Sequence, residues 1–146
     1  MILLRAMALA FLAAGCAASV PRPIAYGTDP CAHCHMTITE ARFGAELMTR
    51  RGQTLTFDDP ACLAAFVAEG HLDADQIKAM RVNDFLHPDA ALDARSAAYL
   101  RTDRVTTPMG GGIIALRAGA EADSVRRALG GLPLSWQDLV RDPGHR

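Results

Sequence analysis

Along residues 42–49 apolar and polar positions alternate: Phe43, Ala45 and Leu47 share one side, Arg42, Gly44 and Glu46 the other. A period of two marks a strand with one buried face. Arg50-Arg51-Gly52 interrupts the pattern as a turn, and residues 54–57 resume it with Leu55 and Phe57 inward. Asp58-Asp59-Pro60 then changes the period. Asp59 is a good N-cap and proline suits the first helical position, which predicts a helix over 60–69 that stops at Gly70. A further strand falls within 77–85. The order is strand, strand, helix, strand.

The second half repeats that order. Residues 98–101 form a strand, and a loop over 106–112 leads to an apolar strand at 113–117. A helix over 121–129 ends at Gly130-Gly131, Leu132-Pro133-Leu134 makes a short edge piece, and a terminal helix begins near Trp136. The halves share this pattern without sequence identity. The expected fold is α+β, two small ββαβ units packed side by side, with His87-Pro88-Asp89 between a first unit (29–88) and a second (89–146). Units of about 40–45 residues are marginal alone, so they should pack together or be helped by a metal.

The beginning of the chain changes the picture. Arg5 precedes a short apolar run from Met7 to Ala14, too short to span a bilayer and the right size for an export signal. The run ends Leu12-Ala13-Ala14-Gly15-Cys16, which resembles a bacterial lipobox. Residues 1–15 then form a lipoprotein signal, Cys16 takes the lipid, and 16–28, with Pro21 and Pro23, form a tether. Ala17 follows the lipid cysteine where an aspartate would retain the protein at the inner membrane. The expected location is therefore the periplasmic face of the outer membrane. A net charge of −1, with no basic patch and few aromatics, gives nucleic-acid binding no support. No second apolar segment could cross a membrane. Setting Cys16 aside leaves Cys31, Cys34 and Cys62. Three thiols cannot all pair, and in the oxidising periplasm persistent thiols need a reductant or a metal.

Residues 31–36, Cys-Ala-His-Cys-His-Met, gather two thiols, a thioether and two imidazoles. Four chemistries fit. Soft sulfur donors select Cu(I). If 34–36 is extended, Cys34 and Met36 share a face, Cys31 lies alongside, and Met109, between Pro108 and three glycines, is a further donor. Cys31, Cys34 and His35 also match C-x-x-C-H, the attachment signature of c-type haem, although the hairpin at 41–57 is foreign to a small helical cytochrome. A thiol–disulfide oxidoreductase would need its C-x-x-C at a helix N-terminus after a buried strand, and Tyr26 to Pro30 is loop-like. Structural zinc could use Cys31, Cys34, Cys62 and a histidine, but Cys62 has no partner at C-x-x-H spacing. Cys62 and Phe66 share a helix face, so Cys62 reads most simply as a core cysteine.

C-x-x-C-x-M at Cys31, Cys34 and Met36 is followed by Arg42-Phe43, by Phe57-Asp58-Asp59 with Cys62, by Val82-Asn83-Asp84, and by Thr107-Pro108-Met109-Gly110-Gly111-Gly112-Ile113. This series resembles the NosL family, copper-binding accessory lipoproteins of nitrous oxide reductase, from about residue 28 to the C-terminus. The resemblance implies a non-enzymatic Cu(I) chaperone serving the copper–sulfide centre of nitrous oxide reductase in denitrification. It also implies work beside a periplasmic protein and an ABC-type transporter of the same pathway, and an organomercury-lyase-like fold. The metal donors expected are Cys34, Met36, Met109 and Cys31. The family usually has glycine where this chain has His35, which makes the haem-like pentapeptide a coincidence or adds an imidazole to the copper site. His33 occupies a spacer position and is expected to be solvated. A dimer sharing copper between chains is compatible with the sequence.

Overall fold

The computed structural model describes residues 22–144, so the signal segment, Cys16 and the start of the tether lie outside the described residues. Strands β1 (Ala45–Thr49) and β2 (Thr54–Phe57) form the expected hairpin, pairing Ala45 with Phe57 and Leu47 with Leu55. Helix α1 (Pro60–Ala68) follows, and β3 (Ile77–Asn83) returns antiparallel to β1, setting Leu47 beside Met80 and Ala45 beside Val82. A short β4 (Ala91–Asp93) adds to the free edge of β3, giving the order β2-β1-β3-β4.

The second sheet repeats the arrangement. β5 (Ala98–Arg101) pairs with β6 (Ile113–Leu116), helix α2 (Ala120–Leu129) follows, and β7 (Leu132–Leu134) pairs with the other side of β5. The order β6-β5-β7 matches β2-β1-β3: in each unit the first strand is central, the second lies on one side and the strand after the helix on the other. Pro133 sits on the edge strand β7, where its missing N–H costs least. Helix α3 (Trp136–Arg141) closes the chain, with Ser135 and Asp138 forming a capping box.

The units share a core. Cys31, Leu47, Phe57, Val82, Tyr99, Ile113, Trp136 and Leu139 belong to one buried cluster. Helix α1 is apolar around its whole circumference and buries Pro60 through Ala65, as a helix covered on several sides must. It packs on both sheets and on α3. The Phe85 N–H donates to Ala115 O (2.9 Å), joining the segment after β3 to β6.

Three local expectations are revised. Residues 41–43 form a turn of 3-10 helix rather than the start of β1, and Phe43 is buried with Leu100, Ile114 and Leu116 instead of under the first sheet. Its ring lies 5.9 Å from Phe85. The division expected after residue 88 is crossed by β4, which pairs with the first sheet. Residues 24–28, expected in the tether, belong to the fold: Ile24 is buried, Ala25 N–H donates to Asp29 (2.7 Å), and Gly27 N–H donates to Ile38 O (2.8 Å). Among the described residues no helix is long and apolar enough to cross a membrane.

Candidate metal site

The Cys31 loop is a tight knuckle pinned to the end of β2. Pro30 and Thr37 form a β-bridge, Cys31 N–H donates to Met36 O (2.8 Å), and His35 N–H donates to Cys31 O (3.0 Å). Ala32 N–H donates to Thr56 O (2.8 Å), and the Thr56 hydroxyl to Pro30 O (3.0 Å). Residues 34–36 are therefore not extended. His35 has φ +63°, and among the described residues it is the one non-glycine in the left-handed region. Glycine adopts that conformation freely, whereas a residue with a Cβ pays about 1–2 kcal/mol. The glycine that the resemblance implies at this position has its physical reason in that angle.

The knuckle meets the first turn of α1. Asp59 caps the helix by accepting the Cys62 N–H (2.9 Å), which sets Cys62 beside the loop. The Sγ atoms of Cys31, Cys34 and Cys62 all lie within 4.8 Å of one another. Cys31 and Cys62 are fully buried and Cys34 is half-buried. Cys62, expected to be a core cysteine, is buried as expected and is also the third sulfur of this group. Neither histidine of the knuckle belongs to it. His35 is exposed, and His33 Nε2–H donates to Glu69 Oε1 (3.1 Å), tying the knuckle to the far end of α1.

Hydrogen bonds make Cys31 the sulfur that ionises first. The Cys62 thiol donates to it, and the N–H groups of Cys34 (3.5 Å), Asp58 and His33 point at it, so its pKa is pulled down against the opposing effect of burial. Cys62 is pushed up, first because it is the donor to Cys31 and then by burial. Burial also raises Cys34. Metal binding needs thiolates, and Cys31 is the sulfur best placed to supply the first.

Two carboxylates frame the sulfurs. Asp59, 1% exposed, accepts the Met109 N–H (3.3 Å) with one oxygen and the Cys62 N–H with the other, so a single side chain fixes the Met109 loop against α1. Asp59→Ala should destabilise the protein by about 2–3 kcal/mol, the worth of a cap plus a second charge-assisted hydrogen bond. Amide exchange at Met109 should accelerate with it. Urea unfolding checks the first effect, and a loss under about 0.5 kcal/mol would contradict the double role.

Asp58 is buried with its Oδ1 unpaired. Burial first, then the negative charges of Cys31, Asp59 and Glu40, raise its pKa to about 6. Below about pH 4 the folded and unfolded chains both hold this proton and there is no penalty. As pH rises towards 6 the unfolded chain loses the proton first, and stability falls by an amount on the order of 2–3 kcal/mol. Asp58→Asn should therefore stabilise the reduced, metal-free protein near neutral pH, with the advantage closing at about pH 4. Thermal unfolding at both pH values checks this, and equal differences at the two would contradict it.

Met36 is 54% exposed, with its N–H directed at Cys34 Sγ. Met109 is half-buried and packs against the same core as Cys34. The donors therefore grade from fully buried thiols to an exposed thioether. The lipidation site Cys16 lies outside the described residues.

The fold is shared with a protein of known structure. The crystal structure of the copper chaperone NosL from Shewanella denitrificans is similar, with a TM-score of 0.69 at 22% identity, covering 82% of this chain and 95% of that one. No curated protein matches the chain. The NosL family model matches residues 24–143, a span that takes in the knuckle, the capped helix with Cys62 and the Met109 loop. The chain belongs to the NosL family.

Proposed function

We propose that the protein is a non-enzymatic Cu(I) chaperone, like the copper chaperone it resembles in fold, and that Cys34, Met36, Met109 and Cys31 hold the ion during transfer. The observation that carries this is the cluster of three sulfurs within 4.8 Å, with the exposed Met36 in the same knuckle. Thiolates and thioethers are soft donors that suit Cu(I). Structural zinc takes four donors, and among the described residues the group holds three, with no imidazole or carboxylate joining it.

Each donor has a role set by its place. Cys31, the readiest of the three thiols to ionise, attracts the cation. Cys34, half in solvent, can bond the ion while a partner approaches. The thioethers of Met36 and Met109 carry no charge, so they hold copper without binding it irreversibly. An incoming ligand replaces one sulfur at a time, and the ion stays cuprous throughout.

The acceptor in this reading is nitrous oxide reductase during assembly of its copper–sulfide centre, with a periplasmic protein and an ABC-type transporter of the same pathway as co-workers. Lipidation at Cys16 would hold the chaperone on the periplasmic face of the outer membrane. The test loads the reduced protein with Cu(I) and mixes it with copper-free nitrous oxide reductase. Copper should move to the enzyme and the Met36→Ala form should deliver it more slowly. Copper that stays put, or moves no faster than from free chelator, would refute the assignment.

A further inference from the structure

We propose that copper occupies two exchangeable positions in this protein, an inner one between Cys31, Cys34 and Cys62 and an outer one formed by Cys34 with Met36 and Met109. This deepens the carrier reading and rests on it.

The inner position follows from spacing and burial. Three thiolates around one ion, at a metal–sulfur distance of about 2.3 Å, stand about 4 Å apart. The three Sγ atoms lie within 4.8 Å of one another before any ion is present, so they need only close slightly. Cys31 and Cys62 are both 0% exposed, which shields an ion there from water and from competing ligands. Cys62 is held by backbone geometry, since its N–H is bonded to the Asp59 cap. The other oxygen of that carboxylate accepts the Met109 N–H, so one side chain positions a donor of each site.

The outer position follows from the donors that the inner one leaves unused. Met36 stands 54% exposed beside Cys34, and Cys34 is the one half-buried thiol of the three. Cys34 is therefore the shared ligand. Moving outward, the ion exchanges its bonds to Cys31 and Cys62 for bonds to the Met36 and Met109 sulfurs while the bond to Cys34 persists. The copper keeps its oxidation state, and of the two released sulfurs Cys62 takes a proton from solvent and again donates its S–H to Cys31. Three anionic sulfurs bind tightly and two neutral thioethers bind weakly, so the inner site stores the ion and the outer site hands it over.

The reduced full-length chain is titrated with Cu(I) against a chromophoric chelator, and release to the chelator is timed. Cys62→Ala should weaken binding by about tenfold or more and speed release. Met36→Ala should leave affinity within about threefold and slow release, because the exit route is lost. Because Cys62 is buried, thiolates are also counted on the unaltered chain with Cd(II), whose charge-transfer absorbance should report three per ion. Unchanged affinity in Cys62→Ala, or two thiolates per Cd(II), would overturn the inner site while leaving the carrier reading intact. An unaltered chain that ignores Cu(I) would instead overturn the carrier reading itself.

Discussion

Cys34→Ser should lower Cu(I) affinity by roughly a hundredfold or more, the largest binding loss expected from a single substitution in this protein. Cys34 is grouped with the buried pair, Cys31 and Cys62, and shares its knuckle with the exposed Met36, and both groupings of donors need it. A serine hydroxyl is a hard donor that stays protonated, so it replaces neither the charge nor the softness of the thiolate. The side chain is only half-buried, at the margin of the core, and serine is close to cysteine in size, so the fold should survive. Competition against a Cu(I) chelator, with far-ultraviolet circular dichroism as the control for folding, measures the effect. A loss under about threefold in a folded variant would show that Cys34 is not a ligand.

Gly112→Ala should destabilise the protein by about 3 kcal/mol or more and take Met109 out of place. Gly112 has φ +63°, and a Cβ there would be driven into the carbonyl oxygen of Thr102. Neither side can yield easily. Thr102 N–H donates to Gly112 O (2.9 Å), and Gly112 N–H donates to the Thr107 hydroxyl (3.1 Å), so the contact is fixed backbone against fixed backbone. The neighbouring Gly111 is the control. A Cβ there would sit 3.6 Å from Gly144 O and 3.8 Å from Ile113 Cδ1, ordinary contacts, and Gly111→Ala should cost about 0.5 kcal/mol or less. Urea unfolding of the pair checks the contrast. Equal midpoints for the two variants would mean that the loop is not held as described.

Much of the architecture was legible because local rules and tertiary packing agree. The alternation at 45–49, the Asp59-Pro60 start of α1 and the Gly130-Gly131 stop of α2 each reflect a short-range preference that the fold keeps. The repeated ββαβ order extends to the strand order within each sheet. Short-range rules fail where pairing is the only cause. β4 is three residues long with alternation too brief to register, and exists because the edge of β3 accepts it. Phe43 keeps the strand pattern in sequence, yet a 3-10 turn redirects it to the second sheet.

The cysteine cluster was legible in its nearby pair and not in its distant member. The knuckle announced itself through spacing, whereas Cys62 comes 28 residues after Cys34 and meets it only because β2 delivers α1 beside the loop. Two signals pointed there. A third thiol in a chain read as exported lacks a disulfide partner, and an N-cap aspartate three residues before it fixes its place on the first helical turn. His35 shows the opposite limit. Its imidazole suggests a ligand, but its left-handed backbone and exposure keep it apart from the sulfur group.

The central claim is that sulfurs on this scaffold hold cuprous copper, and its most direct test is an anaerobic titration of the reduced protein with Cu(I) in the presence of a competing chelator. The account predicts that the chain takes up a single ion, wins it from the chelator, and stays colourless. Copper left wholly with the chelator, or a purified protein that shows the Soret band of attached haem, would contradict it.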